Sequence, residues 1–174
     1  MKKIYFILLA FPILVASCKE NSKKEFDSEK EKSTINNTLD KWHEAAANAD
    51  YTLYFSLMTK DGVFIGTDAT ENWNNFEFRE FSKPYFDNGK AWSFKSLERH
   101  IYFSDKGELA WFDELLDTQM GICRGSGVLK TEDNKWKIAH YVLSMTIPND
   151  QVQEIVNKKQ VIDQMFIEKL KQND

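Results

Sequence analysis

The sequence predicts an α+β domain in which helices come first and an antiparallel sheet follows. Three observations indicate this class. Apolar residues recur at helical spacing in the first half of the chain, the pattern after Gly89 changes to strands separated by polar turns, and a helical stripe returns after Pro148. The 174 residues are enough for one domain.

The first two helices are indicated by spacing and by a cap. Ile35, Leu39, Trp42, Ala46 and Ala49 are spaced four, three, four and three residues apart, which is one face of a helix. Asp50 can cap a second, short helix that runs to Met58. A turn at Asp61-Gly62 then leads into a short strand at residues 63–65.

A third helix is predicted from a capping-box variant. Asn74 is followed three residues later by Glu77, and the helix would carry Phe76, Phe78 and Phe81. We expect Pro84 to kink or end it.

The second half reads as four strands and a last helix. The predicted strands are 92–103, 108–117, 122–130 and 136–147, joined by polar turns that favour hairpins. Pro148 stops the last strand, and Asn149 can cap a helix with Val152, Ile155, Ile162, Phe166 and Leu170 on one face.

Composition excludes several classes. Hydrophobic residues make up 42% and aromatic residues 14%, so the chain is not disordered, collagen-like or a disulfide scaffold. The net charge is −4, and it becomes −6 when residues 1–17, with Lys2 and Lys3, are removed (21 basic against 27 acidic). Because nucleic-acid binders are usually basic, we expect no nucleic-acid partner.

The N-terminus predicts a lipoprotein signal peptide at residues 1–17. Lys2 and Lys3 precede the apolar stretch 4–16, which is too short to span about 30 Å of hydrocarbon. Val15-Ala16-Ser17-Cys18 resembles a bacterial lipobox, which implies that Cys18 is acylated and anchors the chain to a lipid bilayer. The alternative is an ordinary signal peptide that happens to end beside a cysteine.

Residues 18–33 are predicted to be the lipidated cysteine and a charged tether. Ten of the 15 residues from Lys19 to Ser33 are charged, so this segment cannot bury enough surface to fold. Lys19-Glu20 resembles the charged pair of Bacteroidetes-type lipoproteins. We therefore expect a location in the cell envelope, at the periplasmic or surface face of the outer membrane, and a folded domain at 34–174 with its last helix from about 149.

Three segments resemble the nuclear transport factor 2-like superfamily, and within it the SnoaL-like domains. They are the helical entry at 39–55, Asp61-Gly62-Val63-Phe64, and residues 136–144, which are similar to the family's final strand W-K-I-x-H-x-H-x-S with Val142 in place of the second histidine. The resemblance covers about residues 35–147. It implies a cone-shaped fold in which a curved antiparallel sheet wraps N-terminal helices, and a homodimer formed through the outer sheet face.

Strand alternation predicts which residues face the cone cavity. Closing the hairpins on the turns places Glu98 beside Asp113, Asp113 beside Ser126, and Ser126 beside His140. The same face carries Trp92, Phe94, His100, Tyr102, Trp111, Leu115, Arg124, Ile138, Val142 and Ser144, a mixture of apolar walls and polar anchors that suits a small-molecule pocket. The opposite face, with Leu97, Ile101, Phe112, Leu116, Cys123, Gly125, Gly127, Tyr141, Leu143 and Met145, is then the dimer face, unless the two faces are exchanged or one register is shifted.

Two interpretations of this face remain open. Asp113 and His140 could perform acid–base catalysis, since a carboxylate in an apolar pocket is a usable base. Arg124 lies diagonal to Asp113, however, and an ion pair would make that carboxylate structural.

Other sites are not indicated. The three histidines have no metal-ligand spacing, and His43 is expected at a helix surface or rim. No phosphate-binding or dinucleotide glycine pattern is present, so we expect neither a metal nor a cofactor.

The polar loop 66–73 has two interpretations. Asp68, Glu71 and Trp73 could form a rim or gate at the cavity mouth, or Trp73 could plug the end of the core.

Three functions follow from the sequence. The first is a membrane-anchored module that binds a small, partly apolar molecule in the cone. The second is a lyase, isomerase or hydrolase that uses a carboxylate–histidine pair. The third is a protein-interaction domain whose cone is filled by its own aromatic side chains.

Overall fold

The computed structural model describes residues 26–172. The predicted signal peptide and Cys18 lie outside these residues. In chain order the elements are α1 (Ser28–Ala47), α2 (Tyr51–Ser56), β1 (Met58–Ile65), β2 (Asn72–Asn74), α3 (Asn75–Asp87), β3 (Phe94–Phe103), β4 (Leu109–Thr118), β5 (Gly121–Glu132), β6 (Lys135–Met145), a 3₁₀ turn (Asn149–Gln151) and α4 (Val152–Lys171). The α+β fold, with helices before the sheet and one after it, is confirmed.

The six strands form one mixed sheet in the order β2-β1-β6-β5-β4-β3. Neighbouring strands run antiparallel except for β1 and β6, which are parallel, with Phe64 opposite Tyr141. The sequence predicted an antiparallel sheet. The parallel pair of β1 and β6 was missed because a pairing between strands so far apart along the chain leaves no local signal.

The helix α1 begins earlier than predicted. The Asp27 side chain accepts a hydrogen bond from Lys30 N, and the helix runs from Ser28, so residues 28–33 are helical although they were assigned to the tether. Glu31 accepts a 2.6 Å hydrogen bond from Trp136 Nε1. This end of the predicted tether is therefore part of the domain. The predicted apolar face of α1 is buried in the core.

The helix α3 begins as predicted but ends differently. Asn74 and Glu77 exchange both hydrogen bonds of a capping box. Pro84 lies inside the helix, which continues to Asp87, and the chain turns at Gly89 with a φ of +80°. A left-handed residue after the last turn is the common way to end a helix, and glycine adopts it without strain.

The predicted faces of the sheet are exchanged over most of its area. The core residues Ile101, Phe112, Leu116, Cys123, Tyr141 and Leu143 are at most 8% exposed and belong to the cluster that includes the helices. These residues were assigned to the dimer face, and the helices leave them unavailable to a partner. Alternation could not decide the matter, because β4 carries large apolar side chains on both faces, Trp111 and Leu115 on one and Phe112 and Leu116 on the other.

The helix α4 is amphipathic but buries none of its side chains against the rest of the described chain. It follows the 3₁₀ turn that begins at Asn149, and the predicted cap at Asn149 is not formed, since α4 starts after Gln151 without a side-chain cap. Within residues 26–172, no helix is long and apolar enough to cross a membrane.

Candidate functional site

A buried carboxylate is the polar centre of the cone. Glu114 lies on the inner face of β4, 1% exposed, between the core residues Phe112 and Leu116. Its Oε1 lies 2.8 Å from His43 Nε2 and accepts a 3.1 Å hydrogen bond from Tyr141 Oη. Its Oε2 accepts a 2.9 Å hydrogen bond from Arg99 Nε.

The electrostatics of this cluster keep Glu114 ionised. Burial alone would raise the pKa of its carboxyl group, but the hydrogen bond and charge of His43, with the charge of Arg99, outweigh burial and lower that pKa below its ordinary value. Burial and the neighbouring Glu114 charge raise the pKa of the Tyr141 hydroxyl well above its usual range. An ionised carboxylate only accepts, so His43 donates from Nε2, and its buried Nδ1 has no partner among the described residues.

The register of the sheet assembles these residues. Arg99 on β3 lies directly opposite Glu114 on β4, and Gly125 on β5 lies on the other side of Glu114. A Cβ atom at Gly125 would collide with the Tyr141 hydroxyl, so glycine provides the room in which that hydroxyl reaches Glu114.

The helix α1 closes the cluster from the other side. It supplies His43 and also Asp40, whose Oδ1 accepts a 2.8 Å hydrogen bond from Arg99 Nη1. A groove of about 260 Å³ lies between α1 and β3, with the almost fully buried His43 at its edge. Chemically, this is a histidine oriented by a carboxylate, held in an ion-pair network that ties α1 to the sheet.

Aromatic side chains fill the interior beside this cluster. Trp42 stacks on Tyr54 with ring centroids 4.8 Å apart, and Phe64 stacks on Phe78 at 4.1 Å. All four residues are at most 5% exposed. Burial raises the pKa of the Tyr54 hydroxyl well above its ordinary value, despite the neighbouring Trp92 side chain.

A small pocket remains at one end of the cone, which we call the mouth pocket. Its volume is about 130 Å³, and it lies where the 66–71 loop meets the β4–β5 turn. Trp73 stacks on Phe81 at its rim, with ring centroids 4.2 Å apart. The lining is mainly aromatic and apolar with a few polar groups: Phe64, Gly66, Thr67, Glu71, Trp73, Phe78, Phe81, Trp92, Phe94, Gln119, Met120 and Leu143.

The polar loop thus contributes to this pocket through two of its three candidate residues. Glu71 and Trp73 line it, and Trp73 also packs on Phe78 of the core. Asp68 instead accepts hydrogen bonds from the backbone and hydroxyl of Thr70.

The other predicted pocket residues lie on the outer face of the sheet. His100 lies 3.2 Å from both Glu98 and Asp113, and Tyr102 stacks on Trp111, all with exposed or half-exposed side chains. Arg124, Ser126 and Ser144 share this face by alternation along β5 and β6. Only Trp92, Phe94 and Ile138 of the predicted pocket face point into the core.

Two β-bulges cause part of this difference. The register shifts between Ser96 and Glu98 and again between Val128 and Leu129, so Phe94 and His100 fall on opposite faces. Asp113 pairs with Ser126 as predicted, but with His100 in place of Glu98, and His140 pairs with Val128. Asp113 and His140 are therefore two strands apart across the sheet and two residues out of level along it, roughly 12 Å at the usual spacings, and do not form a pair.

The residues of the buried cluster were not predicted as a site. Glu114 and Arg99 received no role, and His43, predicted at a helix surface or rim, is 4% exposed. One signal was available: Glu114 alternates in phase with Phe112 and Leu116, and a carboxylate in phase with core residues requires buried donors.

The comparisons with known proteins agree on the fold. Similar solved structures include a protein of unknown function from Pseudomonas putida described as NTF2-like (14% identity, 71% of this chain and 92% of that chain, TM-score 0.59). An NTF2-like protein from Cytophaga hutchinsonii (15%, 70% and 100%, TM-score 0.55) and the association domain of C. elegans CaMKII (16%, 67% and 97%, TM-score 0.56) are also similar. No curated protein matches the chain in sequence.

The family model described as "SnoaL-like domain" matches residues 35–148. This segment contains α1 from its first buried residue, Ile35, the whole sheet and the buried cluster. The match covers well over half of the chain, and it coincides with the cone. The chain therefore belongs to the SnoaL-like domain family, within the NTF2-like fold.

Proposed function

We propose that this chain is a membrane-anchored binding protein that holds a small, largely apolar group in its mouth pocket and carries out no reaction there. The observation that carries the proposal is the mouth pocket itself. Aromatic rings form most of its wall, and Thr67, Glu71 and Gln119 supply a few polar groups, which is the usual composition of a ligand site.

The size of the pocket limits the ligand. Sites for drug-sized molecules usually measure about 300–1,000 Å³, whereas this pocket measures about 130 Å³. An apolar cavity of about 150 Å³ in another protein binds benzene. We therefore infer a ligand, or the part of a ligand that enters, no larger than one aromatic ring or a short branched chain.

Binding is favoured over catalysis by the state of the ionisable groups. A general base must take up a proton, but Glu114 accepts from three partners and its pKa is lowered, so it stays a charged acceptor. The predicted catalytic pair of Asp113 and His140 is split between strands on the outer face. A carboxylate–histidine enzyme at either position thus has less support than a binding site.

A protein-interaction role is a second candidate, and the filled interior favours it. Trp42, Tyr54, Phe64 and Phe78 occupy the space that a larger ligand would need. The association domain of C. elegans CaMKII shares the fold. The two roles are compatible, because the mouth pocket and the exposed surfaces are separate.

The membrane anchor is proposed from the N-terminal residues alone. Val15-Ala16-Ser17-Cys18 supports acylation of Cys18, and residues 19–25 would separate the anchor from the domain that begins near Phe26. A location in the cell envelope follows from this anchor.

The binding proposal is tested with small aromatic probes. Benzene, toluene, phenol and indole are added to the purified chain, and thermal unfolding is followed. A probe at 100 times its dissociation constant stabilises the fold by about 2.7 kcal/mol. We expect Trp73→Ala to abolish the stabilisation and Trp111→Ala, on the outer face, to leave it unchanged. Probes that stabilise neither wild type nor control, or that stabilise Trp73→Ala equally, would contradict the proposal.

A further inference from the structure

The helix α4 presents a large apolar surface to solvent. It is 20 residues long and none of its side chains is buried by the described chain, while Ile162 is 71% exposed, Leu170 51% and Ile167 49%. A helix in a protein gains most of its stability by packing its apolar face, and a contiguous exposed apolar surface marks an interaction site. The described residues therefore leave this apolar face without a partner.

The apolar residues of α4 form a stripe with an ion pair at its middle. At 100° per residue, seven of the nine apolar residues fall within a sector of about 140°, and Val161 and Met165 lie outside it. Lys159 and Asp163 lie in the same sector, and Lys159 Nζ is 3.1 Å from Asp163 Oδ2. We call these residues the α4 stripe: Val152, Ile155, Val156, Lys159, Ile162, Asp163, Phe166, Ile167 and Leu170.

The positions of the residues in the α4 stripe are nearly symmetric about Val161 along the helix. Apolar residues stand at equal distances on the two sides: Val152 and Leu170, Ile155 and Ile167, Val156 and Phe166. The charged residues also stand at equal distances, but with opposite sign, Lys159 on one side and Asp163 on the other. This is the pattern that a self-complementary, antiparallel helix pair requires.

We propose that α4 binds α4 of a second copy of this chain, antiparallel, about a two-fold axis level with Val161. Each end of the stripe then meets the apolar residues of the other copy. Lys159 of each copy lies level with Asp163 of the other, so two reciprocal ion pairs form at the centre of the interface. A lipid surface fits less well, because it would leave the Lys159–Asp163 pair in an apolar environment without further partners.

Charge reversal in the full chain tests this pairing. Two differently tagged copies are expressed together and one tag is captured. Wild-type copies should co-purify. When both copies carry Lys159→Asp, the new aspartate of each copy lies level with Asp163 of the other, and the two acids repel. We therefore expect at least about a tenfold loss of co-purification. Asp163→Lys in both copies should do the same with lysines.

A mixture of the two variants separates pairing from helix stability. A Lys159→Asp copy beside an Asp163→Lys copy places acid level with base again, so co-purification should return, although the internal ion pair remains broken in both helices. Lys158→Asp is the matched control, since Lys158 pairs with Glu154 outside the α4 stripe, and it should change nothing. The proposal is overturned if wild-type copies do not co-purify, if either variant associates like wild type, or if the mixture fails to associate.

Discussion

Replacement of Glu114 by Gln isolates the charge at the centre of the cone. Gln has nearly the same volume and can still accept a hydrogen bond, but it cannot balance the guanidinium of Arg99. The Arg99 side chain is 5% exposed, and its remaining acidic partner would be Asp40, whose side chain is 62% exposed. The change therefore leaves a buried cation with only a solvent-screened partner.

The structure gives a rough size for this effect. Removal of one member of a buried ion pair costs about 3–5 kcal/mol, and the contact with Asp40 places our expectation at the lower end, about 3 kcal/mol. In a domain of this size, 1 kcal/mol corresponds to roughly 2–4 °C in the unfolding midpoint. We expect Glu114→Gln to lower the midpoint by roughly 6–12 °C.

Urea and thermal unfolding of the two proteins provide the assay. Asp113→Asn is the control, since Asp113 is the adjacent acid on β4 and its side chain is 47% exposed. Its contact with His100 is a solvent-exposed ion pair, and such pairs contribute less than about 1 kcal/mol. If the two variants lose equal stability, or if Glu114→Gln loses less than its control, then Glu114 is not the buried counter-charge that we describe.

Two further predictions concern the stability of the fold at low pH and the proposed acylation of Cys18. Because the pKa of Glu114 is lowered in the folded chain, its contribution to stability is complete above the ordinary Glu pKa of about 4.3 and is lost as the pH falls through the lower folded value. The unfolding free energy of Glu114→Gln, followed by urea titration, should therefore fall less steeply than that of wild type as the pH falls below about 4.3. On the proposed acylation of Cys18, mass spectrometry should find an acyl mass on wild type and none on Cys18→Ser, and this variant should move from the membrane to the soluble fraction, whereas Cys123→Ser should behave like wild type.

Local signals were sufficient to predict much of the fold. The spacing of Ile35, Leu39 and Trp42 fixed the buried face of α1, and Asn74 with Glu77 fixed the start of α3. The parallel pairing of β1 with β6 depends on contacts between distant segments, and nothing within either segment encodes it. The early start of α1 was missed because a highly charged sequence was interpreted without its distant partner, Trp136.

The site was harder to predict for two physical reasons. A single extra residue in a strand exchanges the faces beyond it, so the bulge after Ser96 moved Glu98, His100 and Tyr102 away from the cavity. From the sequence alone, Glu114 is expected at the surface, because a glutamate is buried only where donors surround it. Its donors come from α1, β3 and β6, which only the folded chain brings together. Trp73 was identified as a candidate rim residue because a tryptophan in a polar loop is unusual and can be recognised from the sequence.

The buried cluster and the binding surfaces place opposite demands on their side chains. A group that holds α1 on the sheet must keep its charge over the working pH range, and His43 and Arg99 have this effect on Glu114. A binding surface must instead leave apolar area uncovered until a partner arrives, and the mouth pocket and α4, where we propose binding, both leave apolar side chains uncovered. Polar residues inside the cone thus fix the shape of the domain, whereas the binding that we propose depends on apolar residues at its mouth and on its C-terminal helix.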